Sequence, residues 1–130
     1  MSVNETKPRS FYDLNILKTV RNFEVVQQWK AKIAQLQNFK QLVDDWDGEG
    51  TDAPDHVLVD AAIALANELE LNDVVPPTMI HVSVNSTVYF EWHLDNGYCE
   101  IEIISPDHAE CHLLRNGDGE AEEMVIPLPT

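Results

Sequence analysis

Residues 79–104 read MIHVSVNSTVYFEWHLDNGYCEIEII, and their alternation decides the fold. Ile80, Val82 and Val84 alternate with Met79, His81 and Ser83; Val88, Phe90, Trp92 and Leu94 alternate with Tyr89, Glu91 and His93; Cys99, Ile101 and Ile103 alternate with Tyr98, Glu100 and Glu102. A period of two with one apolar set describes antiparallel strands that bury one face and give the other to water. Downstream, Ala109, Cys111 and Leu113 alternate with Glu110, His112 and Leu114, and Glu123 to Pro127 form a weaker edge segment. The connectors are short: Asn85-Ser86-Thr87, Asn96-Gly97, Ser105-Pro106-Asp107 and Asn116-Gly117-Asp118-Gly119. Asn-Gly is the strongest hairpin signal among them. The segment from about 78 to 127 therefore predicts an antiparallel meander of four or five strands.

Upstream the period changes. From Ile16 through Val20, Phe23, Val26, Trp29, Ile33, Leu36 and Phe39 to Val43 the apolar steps are threes and fours, which predicts helix over about 11–43. A break near Asn22 would divide it; unbroken, it would be long enough to reach a second copy. Residues 44–55 form a punctuated loop in which two glycines can adopt positive φ. Thr51 or Asp52 is expected to cap the next helix, with Pro54 in its first turn. That helix runs over about 55–71, and its centre, Ala61 to Ala66, is apolar on nearly every side, so it should lie against the sheet. Asn72-Asp73 and then Pro76-Pro77 end it. The expected class is α+β: one or two N-terminal helices and a second helix packed on one face of the meander, after a flexible tail over 1–10.

Trp46-Asp47-Gly48-Glu49-Gly50, Pro54, a helix, a proline break and a strand bearing Glu91-Trp92 follow one another over residues 43–104. This arrangement resembles a loose group of small, mostly uncharacterised bacterial proteins with a W-D-G-x-G-A motif and a later E-W. Thr51 stands where that group has alanine, and the Asp-Gly usual before the later Glu is absent. The resemblance implies the fold and a bacterial origin, and no chemistry.

Charge is divided along the chain of 130 residues, whose formal net charge is −15. Residues 1–40 hold seven cations against three acids, formally +4, and residues 41–130 hold one cation, Arg115, against twenty acids, formally −19. Such a field opposes nucleic acid and anionic membranes and favours a basic protein. An apolar content of 44% with three tryptophans argues for a folded core. The longest uncharged apolar run, Ala61 to Ala66, is far below the ~20 residues that span a bilayer. Met1 to Ser10 has no apolar signal region, and two cysteines, Cys99 and Cys111, are too few for a disulfide framework. The expectation is a cytoplasmic protein with free thiols and no cofactor.

Two groups of residues are candidates for chemistry. In the loop, Asp44, Asp45, Asp47, Glu49 and Asp52 present acids, and aligning Asp45 with the first position of a calcium loop places Gly50 at the sixth. That alignment ends at His56, where a bidentate glutamate is required, so the acids are expected to shape the turn and cap the helix while Trp46 plugs the core. On the sheet, a type I′ turn centred on Asn96-Gly97 would set His93 opposite Glu100 and Glu91 opposite Glu102. A three-residue connector at 85–87 would set His81 opposite Glu91, and the next turn places Glu110 beside Glu102 and His112 beside Glu100. Imidazoles and carboxylates at that spacing can hold a divalent ion through His81, His93 and His112, or can simply make cross-strand pairs of about 0.2–1 kcal/mol each. Adjacent glutamates should raise one another's pKa.

No nucleophile motif, phosphate-cradling loop or cysteine metal pair is present, so no catalytic residue is assigned. The leading expectation is an acidic module for a basic protein partner (an inhibitor, antitoxin or immunity protein) touching Asp44, Asp45, Asp47, Glu49 and Asp52, or Glu91, Glu100, Glu102 and Glu110. A divalent-metal protein or enzyme is the alternative, and a homo-oligomer joined through the N-terminal helix is a third. The basic segment itself either forms an arm for nucleic acid through Lys7, Arg9, Lys18 and Arg21 or lies on an acidic surface of its own body or of a second copy.

Overall fold

The computed structural model describes residues 11–117 and 121–129; the expected tail over 1–10, with Lys7 and Arg9, lies outside them. Two short 3-10 turns, Phe11–Asp13 and Asn15–Leu17, precede helix α1, Phe23–Asn38, which ends in a 3-10 turn at Phe39–Gln41. Helix α2 is His56–Leu71. Five strands follow, β1 Met79–Val82, β2 Val88–Leu94, β3 Gly97–Ser105, β4 His108–Arg115 and β5 Glu122–Pro127, paired antiparallel in sequence order. The α+β class and the meander are as the sequence predicts.

Helix does not extend over 11–43. Residues 17–19 pair with the connector after α2: Val75 N donates to Leu17 O and Thr19 N to Asp73 O, each at 2.8 Å. A helix would use those backbone groups internally, so it can begin only at Asn22, whose Oδ1 accepts from Val25 N at 2.9 Å as an N-cap. Phe11, Leu14 and Leu17 enter the core, while Val20, Phe23 and Val43, placed on the apolar stripe by their spacing, are exposed. The buried anchors of α1 are Trp29 and Leu36.

Helix α2 buries Leu58, Val59, Ala61, Ala62, Leu65, Ala66 and Leu69 against α1 and the centre of the sheet. Its cap is Asp55, which makes no side-chain cap hydrogen bond; neither Thr51 nor Asp52 caps it, and Pro54 lies before the helix. The apolar sheet face (Ile80, Val88, Phe90, Trp92, Cys99, Ile101, Ile103, Ala109, Cys111, Leu113 and Ile126) completes the core. Cys99 and Cys111 are free and buried with sulfurs 3.6 Å apart, and the hydrogen bond to Cys111, with burial, pushes the Cys99 thiol up. They pack as small apolar residues.

Both N-terminal hairpins close differently from expectation. Leu94 pairs with Gly97, so Asp95 and Asn96 are the central turn residues, and neither takes positive φ. The turn is not type I′, and Gly97 belongs to the strand for a steric reason. A Cβ there would lie 2.5 Å from Leu114 O and 3.2 Å from Arg115 Cα. Between β1 and β2, Ser83 N donates to Thr87 O at 2.9 Å and Ser86 adopts φ 64°, so the tip is residues 84–86 and Val84 is exposed. Each pairing is displaced by two residues, which keeps every side chain on its predicted face and changes only its neighbours.

Gly97→Ala forces β3 and β4 apart at a backbone contact that no rotamer change relieves. We expect a loss of about 1–3 kcal/mol, the usual cost of overpacking, in urea denaturation monitored by tryptophan fluorescence.

Candidate functional site

Both helices pack on one side of the sheet, and the other side carries Glu91, Glu100, Glu102 and Glu110 among Tyr89, Tyr98, His81, His93 and His112. Register sets which of these meet. Glu91 lies directly opposite Glu100, His81 opposite Tyr89, His93 opposite Tyr98, and Tyr89 opposite Glu102. The expected pairs His81–Glu91, His93–Glu100 and Glu91–Glu102 are therefore not direct neighbours. The expected pairs Glu102–Glu110 and Glu100–His112 are.

Both histidines still reach Glu91, His81 from the diagonal position on β1 and His93 from two residues along the same strand. His81 Nε2 lies 2.5 Å from Glu91 Oε2, and His93 Nε2 lies 3.0 Å from Oε1. His81 also stacks on Tyr89, ring centroids 5.2 Å apart. The hydrogen bond from His93, then that from His81, hold the Glu91 carboxyl below its ordinary value, the reverse of the mutual elevation expected from neighbouring acids. Tyr98 donates to Glu100 Oε1 at 2.8 Å, and Thr87 Oγ1 to Glu102 Oε2 at 2.7 Å. Burial and the bond to Glu102 push the Tyr89 phenol up to about 12, so it remains a neutral donor. His112 Nδ1 is 3.6 Å from Glu100 and has no hydrogen-bond partner among the described residues.

His81, His93 and His112 do not converge. The first two share Glu91 and the third sits two strands away beside Glu100. Among the described residues no group of three or more His, Cys, Asp or Glu is arranged to hold a metal ion.

The loop acids are occupied by their own backbone. Asp44 Oδ1 accepts from Ala53 N at 2.9 Å, and Asp45 Oδ1 from Gly50 N at 2.7 Å. Asp47 Oδ1 accepts from Glu49 N at 3.0 Å and Thr51 N at 3.2 Å, while its Oδ2 takes the Thr51 hydroxyl. These bonds, that of the Thr51 hydroxyl first, lower the Asp47 pKa. Gly48 and Gly50 take φ of 75° and 84°, and Asp45 takes 65°, as such a tight loop requires. One oxygen each of Asp44 and Asp45 and both oxygens of Asp47 are thus used within the loop. Trp46 does not enter the core; it lies half-buried over the loop with Nε1 3.4 Å from Asp52 O. Asp44, Asp45, Glu49 and Asp52 are all exposed, and among the described residues the carboxylates of Glu49 and Asp52 take no hydrogen bond.

We found no match of this chain to a protein-family model, to a curated protein or to a solved structure. Among the described residues no helix is long and apolar enough to cross a membrane.

Because the folded pKa of Glu91 is depressed, its contribution to stability is complete above the unfolded carboxylate value. It is lost as pH falls through the folded one. Glu91→Gln should therefore flatten the decline of Tm between about pH 5 and pH 3, measured by circular dichroism, relative to the parent protein.

Proposed function

We propose that this chain is an acidic protein-binding module for a basic partner, and that the open face of the sheet receives that partner. The observation that carries the reading is the direct opposition of Glu91 to Glu100 and of Glu102 to Glu110 on the side away from both helices. Like charges set directly across strands destabilise a sheet. Here tyrosine, threonine and histidine partners offset part of that repulsion, at Glu91, Glu100 and Glu102. Glu110 stays half-exposed without such a partner among the described residues. Lysine or arginine side chains arriving from outside would relieve the remainder, so the partner's own cations provide both affinity and rapid encounter.

The division of charge along the chain supports the same reading. Lys40 pairs with Asp60, Arg21 lies 3.6 Å from Glu70, and Lys18 Nζ donates to Asn72 O at 2.8 Å. These three cations thus lie on the chain's own α2 and its C-terminal end. The sheet face keeps its excess of carboxylate. An inhibitor, antitoxin or immunity protein acting on a nuclease or another basic protein would use such a surface, with carboxylates standing where the target expects phosphate.

Calorimetric titration with a hexalysine peptide at low salt tests the reading. A Glu100→Gln/Glu102→Gln/Glu110→Gln variant should bind at least about tenfold more weakly than the parent. A control with equal charge loss elsewhere, Glu24→Gln/Glu49→Gln/Asp95→Asn, should lose far less. Equal losses in both variants would reduce the effect to net charge and contradict the assignment to the face. Binding should also weaken as salt rises.

A further inference from the structure

We infer that the cavity at one end of the sheet is a pocket for a primary ammonium group, the head of a lysine side chain. As an anchor for the basic partner this rests on the reading above; as a pocket it stands on its own geometry. The cavity, about 440 Å³, lies where the loop before α2 meets the β1–β2 and β3–β4 turns. Ser86, held in the left-handed region, donates its hydroxyl to Asp52 O at 2.7 Å and so fastens the β1–β2 turn to the loop. Ile104, at the irregularity in the β3–β4 pairing, and Pro106 also line it.

The lining suits one ligand chemistry. Asp52 and Asp55 supply two exposed carboxylates, and neither makes a side-chain hydrogen bond or ion pair among the described residues. Val57 and Ile104 are exposed apolar residues in the same wall, 60% and 36% accessible, with Leu58 behind them. A lysine carries a four-carbon apolar stem that can lie on such a wall and a compact head that three acceptors can surround. Phosphate and carboxylate ligands are repelled by the two aspartates, although a helix begins here. The positive end of α2 weakens the pull of Asp55 on a cation, which leaves the larger share to Asp52. Thr87 also lines the cavity, and its hydroxyl is bonded to Glu102. The pocket therefore opens onto the acidic face and joins loop and sheet acids into one surface.

The test is an NMR titration of the ¹⁵N-labelled protein with N-acetyl-lysine amide, with N-acetyl-norleucine amide as the uncharged control. Saturable shifts at the Val57, Ser86 and Ile104 amides are expected with the lysine probe alone. Asp52→Asn should weaken its binding about tenfold. Asp55→Asn, which keeps a favoured N-cap residue, should weaken it less. Absence of saturable shifts there, equal response to norleucine amide, or unchanged affinity in Asp52→Asn would overturn the pocket. The sheet variant Glu100→Gln/Glu102→Gln/Glu110→Gln should keep lysine-probe binding while losing hexalysine. Loss of the probe's shifts with hexalysine binding intact would overturn the pocket and leave the face reading standing.

Discussion

Two indole N–H groups hold consecutive carbonyls of one connector, and the rest of the structure is arranged around that junction. Trp29 of α1 donates to Val74 O at 2.9 Å, and Trp92 of β2 donates to Val75 O at 2.8 Å. Both indoles are buried, and each would leave a stranded donor and a stranded carbonyl if the connector moved. The same three residues, 73–75, also receive the segment 17–19. Helix α1, helix α2, the N-terminal segment and the sheet are thereby fixed to one another at a single point. Pro76 and Pro77, both buried, then lead the chain into β1 without spare backbone donors.

From this junction follows the one-sidedness of the molecule. With α2 locked beneath the middle of the sheet and α1 beside it along β1, Lys32 Nζ and Gln35 Nε2 reach the carbonyls of Thr78 and Ile80 at 3.1 and 3.4 Å. That end of the sheet is covered by helix side chains, which discourages a further strand from pairing there. The face opposite the helices has only its own side chains to balance its charge. The proposed function depends on that asymmetry: cations are drawn to the helical side by α2, and carboxylates accumulate on the other.

Much of this was legible in the sequence because the alternation in 79–114 is strong and survives errors of register. The strands and the buried side of each follow from it directly, and α2 follows from the apolar run Ala61 to Ala66 between Pro54 and Pro76-Pro77. The N-terminal segment was misread because Val20 and Phe23 keep a helical spacing although residues 17–19 are claimed by backbone pairing with residues far along the chain. Nothing local announces such a pairing. At Asn96-Gly97 the familiar turn dipeptide pointed to positive φ, whereas Gly97 is needed for the closeness of Leu114 O. The displacement at the β1–β2 turn leaves His81 diagonal to Glu91, and His93, two residues along the same strand, shares its face, so both imidazoles meet one carboxylate. Loop acids were recognised as a group, but which of them the backbone would consume required the coordinates. Of the residues lining the inferred pocket, Asp52 stands among the loop acids that the sequence offers as candidates; Asp55, Val57 and Ile104 join it only through the fold.

The most direct measurement is zero-length carbodiimide cross-linking of hexalysine to the intact protein at low salt, with the linked carboxylates located by mass spectrometry. The account predicts links concentrated at Glu100, Glu102, Glu110 and Asp52. Links spread evenly over Glu24, Glu68, Asp95 and the other acids, or concentrated on the helical side, would contradict it.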